Sequence, residues 1–297
     1  MKKKKNKIEA FDIFVFIFML CVALLTLYPF LNVLALSLND SGDTVRGGIY
    51  LLPRKLTLAN YNNVFSDPNL MHSALVSVER TVLGTLTSVI CCCMLAYTLS
   101  RRDYVFRKLV TTIFVITMYV SGGMIPSYLL MRNVHLIGSF WVYIIPLLVN
   151  FYFVMIIRSF MDAIPPSLQE SARIDGANDF QIFVKIIMPL CVPVIATVSL
   201  WIAVSQWSSW IDTYLYSAGK ESLSTLQYQL MTIMDNANIG AGSVATKNAL
   251  GKSATNTVSP ESVQMAETII ATVPILCVYP FVQKYFVKGV TLGAVKG

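Results

Sequence analysis

The sequence predicts an all-α membrane protein with six transmembrane helices. Only 13% of its 297 residues are charged and 55% are hydrophobic, whereas a soluble domain has roughly 25% charged residues. Apolar stretches of about 20 residues, the length that crosses the hydrocarbon core of a bilayer, recur along the chain. Lysine and arginine residues lie mostly on one side of these stretches, as in proteins that are inserted in one orientation.

Six segments are long and apolar enough to be transmembrane spans. They are residues 11–38, 71–99, 109–130, 140–157, 187–216 and 263–286. The first span follows the basic segment MKKKKNK, but its apolar stretch is longer than that of a secretory signal and no small-residue cleavage site stands near its end. We therefore expect it to be retained as a transmembrane helix.

The distribution of basic residues predicts the orientation of the spans. One side has Lys2, Lys3, Lys4, Lys5, Lys7, Arg101, Arg102, Arg107, Lys108, Arg158, Arg173, Lys185, Lys284, Lys288 and Lys296. The other side has Arg46, Arg54, Lys55, Arg132, Lys220, Lys247 and Lys252. By the positive-inside rule both termini and residues 165–189 face the cytoplasm, and residues 217–262 form an extracytoplasmic loop. Because orientation accounts for the net charge of +7, we predict no binding of nucleic acid.

Few residues are of the types that perform chemistry. The six cysteines all lie in apolar spans, where cysteine is a small hydrophobic residue, and the two histidines, His72 and His135, are isolated. We therefore predict no metal site and no catalytic residue in this chain. Residues 246–253, TKNALGKS, end like a phosphate-binding P-loop. However, Thr246 stands where that loop needs a glycine and no strand precedes it, so we expect no ATP binding here.

A polar segment, QESARIDGANDF, interrupts the apolar chain at residues 169–180. Pro165 and Pro166 end the preceding span, and Ser167 can cap a new helix. Glu170 follows Ser167 at the spacing of a capping box, and its charge suits the positive end of a helix. We therefore expect a short polar helix at the cytoplasmic surface.

Small residues follow in the same segment. Ala172 and Ala177 permit close contact with another surface, and Gly176 permits a tight turn. A second helical segment, residues 180–187, leads to the prolines that begin span five. The segment therefore predicts a helix–turn–helix offered to a cytoplasmic partner, although an ordinary polar surface loop is the alternative on composition alone.

The motifs in this segment resemble a known family. Glu170-Ser171-Ala172, Asp175-Gly176-Ala177 and Met188-Pro189 resemble the EAA loop of bacterial ABC importer permeases, with Ser171 and Met188 as mild departures. AYTLSRR (96–102), QWSSWID (206–212) and the C-terminal KYFVKGVTLGAVKG are similar to the carbohydrate-uptake, maltose-type branch. Within that branch the resemblance is nearest to Gram-positive permeases for oligosaccharides and polysaccharide fragments.

The resemblance implies a function and a set of partners. The whole chain, 1–297, would be one permease domain of the type I ABC importer fold in a bacterial plasma membrane, surrounded by lipid and paired with a second homologous permease. Two cytoplasmic ABC ATPase subunits would bind ATP and Mg, whereas this chain holds no cofactor. An extracellular solute-binding protein would deliver a carbohydrate, most simply an oligosaccharide. The residues that map onto the coupling motif, or lie beside it, are Glu170, Ser171, Ala172, Asp175, Gly176 and Ala177.

Polar and aromatic residues in the outer half of span five are candidates for a sugar path. They are Gln206, Trp207, Trp210 and Asp212. Indole rings stack on sugars, and amide or carboxylate groups bind hydroxyls. The tryptophans equally suit the aromatic belt of the membrane interface, and both interpretations stay open.

Charged residues within the spans are costly and need a partner. They are Glu79 and Arg80 in span two and Glu267 in span six. We favour an ion pair between Arg80 and Glu267, with contact to sugar or to lipid headgroups as alternatives.

Two other classes of function are weighed. An ion-gradient-driven secondary transporter is the main alternative, but no inverted repeat or proton relay supports it. A membrane enzyme would need a catalytic constellation, which is not found. Co-purification with an ATPase and a second permease would separate the ABC permease from both.

Overall fold

The computed structural model describes residues 10–66, 68–235 and 260–294, in which the main secondary structure is helical and no β-strand occurs. The α-helices are α1 (Ala10–Ser37), α2 (Ser41–Thr44), α3 (Ala59–Ser66), α4 (Pro68–Ser100), α5 (Arg107–Tyr119), α6 (Met124–Asn133), α7 (Phe151–Asp162), α8 (Pro166–Ile174), α9 (Asp179–Ile182), α10 (Met188–Leu190), α11 (Val192–Ser208), α12 (Ile211–Tyr216), α13 (226–235) and α14 (Pro260–Ala294). Short 3-10 helices lie at Phe140–Tyr143, Ile145–Leu147 and Glu221–Leu223, and a π-helix lies at Phe183–Ile187. The all-α prediction is confirmed.

The described helices group into two compact units. The first unit contains residues 10–66, 232–235 and 260–272, and the second contains residues 68–231 and 273–294. In the first unit, the Asn32 side chain donates to the carbonyl oxygens of Ile49 and Tyr50, and Asn60 donates to those of Ser37 and Asn39. These bonds tie the segment after α1 back to the end of that helix.

Several described helices are suited to cross a membrane. Phe11–Ser37, Pro68–Ser100 and Glu261–Val278 each pass by length and composition. Two helix pairs pass as bent spans, Phe140–Leu147 with Phe151–Asp162 at 47° and Asp179–Leu190 with Val192–Ser208 at 81°. Three to five spans are therefore present among the described residues, depending on whether each bent pair is one span, and the chain is a multi-pass membrane protein.

The third predicted span, residues 109–130, is divided between two helices. The helix α5 ends at Tyr119, and α6 begins at Met124 after the sequence Val-Ser-Gly-Gly. Gly123 has a φ of +83°, a backbone conformation that a glycine adopts without steric cost. The interruption therefore follows from local sequence that hydropathy alone does not register.

The fifth predicted span, residues 187–216, is likewise not a continuous helix. Pro189 and Pro193 lie at the beginning of α10 and α11, where a missing backbone N–H is tolerated. Because proline cannot extend the hydrogen-bond ladder of the preceding helix, the chain bends around Cys191. A second interruption, at Ser209 and Trp210, separates α11 from α12 and is called here the α11–α12 break.

The core of the second unit is apolar and closely packed. Its buried side chains come from α4, α7, α11, α9 and the π-helix that follows α9. Cys92, Cys93 and Cys191 are fully buried within this core cluster. The interpretation of these cysteines as small hydrophobic residues is confirmed for the buried three.

Some predicted features fall outside the described residues. The TKNALGKS segment lies there, as do both termini. The described part of the predicted loop 217–262 contains the 3-10 helix Glu221–Leu223, α13 and the beginning of α14.

Candidate functional site

The helix α8 forms the first half of the polar segment. It begins at Pro166, and its N-cap is Pro165 without a side-chain hydrogen bond. The predicted capping box of Ser167 and Glu170 is therefore wrong. Proline is favoured at the first helical position because its φ is already helical, and this moves the helix start two residues upstream, from residue 168 to Pro166, and places Ser167 inside the helix.

A capping box does form, but at α9. The backbone N–H of Gln181 donates to Asn178 Oδ1 at 2.8 Å, and the backbone N–H of Asn178 donates to Gln181 Oε1 at 3.0 Å. Both bonds satisfy donors that have no partner within the helix. The beginning of α9 is thus fixed by the residues that directly follow the turn.

The turn between α8 and α9 is a Schellman motif centred on Gly176. The Gly176 N–H donates to the Arg173 carbonyl at 3.0 Å, and the Ala177 N–H donates to the Ala172 carbonyl at 2.9 Å. Gly176 has a φ of +81°, which side chains disfavour. A Cβ added there would have no atom of this chain within 4 Å. The backbone therefore requires glycine, while the space beside it is open.

The surface formed by α8, the Gly176 turn and α9 is called here the coupling loop. Of its predicted contact residues, Glu170, Ser171, Asp175 and Gly176 are exposed. Ala172 and Ala177 are half-buried and pack against the core cluster of their own chain. Their small size thus serves, at least in part, to seat the coupling loop on the helices beneath it.

Apolar side chains at the coupling loop were missed by the sequence analysis. Ile174 is 86% exposed and Phe180 is 70% exposed, on either side of the Gly176 turn. Large apolar residues inside an otherwise polar segment were the signal that could have found them. Together with the exposed Glu170, they give the surface the mixed apolar and charged character of a protein contact.

A network of charges lies beside the coupling loop. Arg173 Nη2 lies 3.0 Å from Asp179 Oδ1 and 3.4 Å from Asp103 Oδ2. Arg101, which directly follows α4, reaches the same two aspartates at 3.4 and 3.2 Å. Two arginines and two aspartates from three segments of the chain thus alternate in one cluster.

A second polar cluster is buried among the spans and centred on Arg80 of α4. The Arg80 guanidinium is fully buried and makes a bidentate ion pair with Asp212 of α12, with Nη1 lying 3.1 Å from Oδ1. Its Nε donates to Gln206 Oε1 at 2.9 Å, and its carbon Cζ lies 4.7 Å from the centre of the Tyr143 ring. Asp212 is thus the ion-pair partner of Arg80 in this cluster, whereas the sequence analysis favoured Glu267.

This cluster changes how the predicted sugar path is understood. Gln206 and Asp212 direct polar atoms to Arg80, and Gln206 is itself buried. Trp207 and Trp210 are half-buried, and the Trp210 ring lies 6.3 Å from that of Tyr214. Contact of these four residues with sugar stays a prediction, and for Gln206 and Asp212 the structure adds a role in the Arg80 cluster.

Gly84 makes room for the Arg80 cluster. A Cβ added at Gly84 would lie 2.6 Å from Gln206 Nε2. Gln206 is not free to move aside, because it accepts from Arg80 and its Nε2 donates to the Tyr143 carbonyl at 3.4 Å. Glycine at this position therefore follows from a close approach of side chain and backbone.

We expect Gly84→Ala to destabilise the protein by about 1–3 kcal/mol, the usual cost of overpacking a filled interior. Thermal unfolding of the detergent-purified chain measures the change. Gly122→Ala is the matched control, because its added Cβ would make only an ordinary contact, 3.6 Å from Pro126. Equal melting temperatures for the two variants would contradict the expectation.

A cavity of about 420 Å³ opens near the Arg80 cluster. Its polar lining residues are Ser88, Thr117, Asn150, Tyr152, Ser205 and Gln206, and its lining contains no charged side chain. Asn150, Tyr152 and Ser205 were missed by the sequence analysis, although polar residues inside apolar spans were a signal for them. Neutral hydrogen-bonding groups of this kind suit hydroxyl-rich ligands.

The described residues contain no group of three or more His, Cys, Asp or Glu side chains that could hold a metal ion. Two bent helix pairs that pass as spans, together with a cavity lined by neutral polar groups, are compatible with a membrane transport protein. Residues 84–292 match the family of binding-protein-dependent transport system inner membrane components. The chain belongs to this family, and it is a transport permease subunit rather than an enzyme.

Comparisons with individual proteins agree with this family. The chain is 38% identical to the polygalacturonan/rhamnogalacturonan transport system permease protein YtcP of Bacillus subtilis (strain 168), over 99% of this chain and 100% of the relative. Among solved structures, it is similar to a chain of a bacterial ABC transporter involved in the import of the acidic polysaccharide alginate. The TM-score is 0.82 at 29% identity, over 96% of this chain and 100% of that one. The protein thus has the permease fold of type I ABC importers.

A second solved structure shares the fold alone. It is a bacterial alginate ABC transporter in complex with an alginate pentasaccharide-bound periplasmic protein, with a TM-score of 0.50 at 15% identity. It covers 76% of this chain and 81% of that one. Family membership favours ATP-driven import over the ion-gradient alternative.

Proposed function

We propose that this chain is the permease subunit of an ATP-driven ABC importer for oligosaccharides, coupled to a cytoplasmic ATPase through the coupling loop. The observation that carries the proposal is the Gly176 turn. Its backbone is fixed by two hydrogen bonds, its surface is open, and exposed charged and apolar residues flank it. A rigid, accessible helix–turn–helix of this kind is suited to dock into a cleft of another protein.

The substrate class is supported by two independent features. The similar proteins named above transport polygalacturonan/rhamnogalacturonan and alginate, which are polymers of sugars. The cavity among the spans is lined by hydroxyl and amide groups, which bind sugar hydroxyls. We assign fragments of a polysaccharide, rather than an ion or an amino acid, as the transported molecule.

The remaining parts of the proposal concern assembly. A second homologous permease pairs with this six-span chain to complete the translocation unit, and both termini of this chain lie in the cytoplasm of a bacterial cell. Two ATPase subunits bind ATP and Mg, and an extracellular solute-binding protein delivers the oligosaccharide. The exposed apolar faces of helices such as α1 and α5 support burial against lipid and the second permease.

Reconstitution tests this function directly. We expect this chain alone to show no ATP hydrolysis. The complex with both permeases and the ATPase should hydrolyse ATP faster when the binding protein and oligosaccharide are added. Oligogalacturonides and neutral arabino-oligosaccharides, supplied in parallel, separate acidic from neutral substrates. ATP hydrolysis by the rigorously purified single chain, or uptake driven by an ion gradient without ATP, would contradict the proposal.

A further inference from the structure

The helix α4 is joined to the coupling loop through Arg101. The Arg101 side chain is only 13% exposed, and its Nη1 donates to Gln169 Oε1 of α8 at 2.6 Å. The same guanidinium pairs with Asp179 of α9. One side chain at the end of α4 therefore contacts both helices of the coupling loop.

A neighbouring aromatic residue adds a second connection. Tyr97 lies one turn before Arg101, and its ring is 5.7 Å from the Arg101 guanidinium and 5.1 Å from the ring of Phe183. Its hydroxyl donates to the Asp179 carbonyl at 3.4 Å. The cytoplasmic end predicted for α4 is thus joined to α8, to α9 and to the π-helix after it.

The same helix contacts the α11–α12 break through Arg80. Arg80 Nη1 donates to the Ser209 carbonyl at 3.4 Å, inside the break, and the guanidinium pairs with Asp212 directly beyond it. Ser209 Oγ also donates to Asp212 Oδ1 at 3.0 Å. The backbone conformation of the break is therefore held by a side chain of α4.

The distance between Arg80 and Arg101 along the helix axis is close to the thickness of the hydrocarbon core of a bilayer. They are 21 positions apart in the sequence, which corresponds to about 30 Å along a helix at roughly 1.5 Å per residue. This is about the thickness of the hydrocarbon core. Charge-assisted contacts are thus made within α4 and directly after its end, at two points separated by about the thickness of the hydrocarbon core.

We infer that Arg101 and Arg80 are positioning residues, through which α4 links the coupling loop to the α11–α12 break. This inference rests on the proposed docking of an ATPase at the coupling loop. An intact helix moves as one body, and a bidentate or branched guanidinium contact fixes orientation as well as distance. Displacement of α8 and α9 by the ATPase therefore displaces α4, and α4 in turn displaces the break.

Without Arg101 the coupling loop keeps weaker connections to α4. The contacts of Ala172 and Ala177 with the core cluster remain, as does the Arg173 pair with Asp103 and Asp179. These contacts keep the coupling loop folded and available for docking. The ATPase should consequently still bind, while its movement is passed to α4 less completely.

The test uses the assembled complex in proteoliposomes. Ser208, the exposed last residue of α11, is replaced by cysteine and labelled with a membrane-impermeant maleimide, with and without ATP and vanadate. The complex without this cysteine measures labelling of the native cysteines. We expect Arg101→Ala to retain ATPase co-purification but to lower the ATP-dependent change in labelling, and stimulated hydrolysis, by about fivefold or more, the lower range of coupling between sites.

Two comparisons make the result specific. Arg102→Ala, which removes the same charge from the next, exposed position, should behave as the unmodified complex. Arg80→Lys should retain docking and lose the labelling response, because lysine cannot make the bidentate contact. Arg101→Lys and Gln169→Ala each remove only part of the contacts between Arg101 and the coupling loop. They serve as the decisive variants if the complex that carries Arg101→Ala does not assemble.

A labelling response in the Arg101 and Gln169 variants equal to that of Arg102→Ala would overturn the inference. Failure of the proposed function has a different signature. The ATPase would then be absent from the unmodified complex, or Gly176→Leu would dock it normally, and both proposals would fall.

Discussion

Gly176→Leu is expected to weaken docking of the ATPase on the assembled permease by at least about tenfold. Two effects combine at this position. The left-handed backbone at φ +81° costs a side-chain-bearing residue about 1–2 kcal/mol. The leucine side chain would also project into open space, which the proposed partner occupies. We expect ATPase co-purification and stimulated hydrolysis to fall by at least about tenfold, since a misfit of about 1.4 kcal/mol already changes an equilibrium by that factor.

Gly176→Ala separates backbone strain from bulk. Alanine has most of the energetic cost of the left-handed backbone conformation but adds little volume. In Gly176→Asn, the asparagine adopts the left-handed conformation more readily than other side-chain-bearing residues do. Both should therefore retain more of the docking than Gly176→Leu does. All three variants should insert in the membrane, because Gly176 lies outside the spans. Full stimulated turnover in Gly176→Leu would refute the coupling assignment.

Arg80→Ala and Asp212→Ala are expected to lower the yield and the melting temperature of the permease strongly. Removing one partner of a buried ion pair leaves the other charge without compensation, which costs about 3–5 kcal/mol. The Arg80 side chain is fully buried and that of Asp212 is 16% exposed, so water can hydrate the remaining charge only slightly. Thermal unfolding of the detergent-purified chain, followed by size-exclusion chromatography, measures the loss.

Glu221→Ala is the matched control, because this carboxylate is exposed at a short 3-10 helix. The double variant Arg80→Met with Asp212→Ala removes both charges and should recover part of the stability of the single variants. Asp212→Ala with unchanged melting temperature but impaired uptake would instead favour direct contact of Asp212 with sugar.

The coupling loop shows which structural features can be predicted from neighbouring residues in the sequence. Its position in the chain and the glycine turn follow from residues within a dozen positions of one another, and both are found as expected. The predicted N-cap of α8 was wrong because two helix-start signals lie close together, and the helix begins at Pro166 rather than after Ser167. Neighbouring residues determine such local geometry, so the error is confined to one turn.

The predicted sugar path shows where local sequence does not suffice. Gln206 and Asp212 have the chemistry of sugar-binding residues, and nothing near them in the sequence indicates another partner. Their partner is Arg80, which lies 126 and 132 positions away. Only the packing of α4 against α11 and α12 brings the three side chains together.

The sequence by itself determined that this protein is helical and membrane-embedded, and that a short polar helix, a glycine turn and a second helix follow the fourth span. Hydropathy, glycine turns and proline positions act within one or two helical turns, so they can be recognised without coordinates. The tertiary structure alone decided which alanines face the core and which charges pair across the spans. Those features depend on close packing and on the high cost of an unpaired charge in a low-dielectric interior, and both are set by residues far apart in the chain.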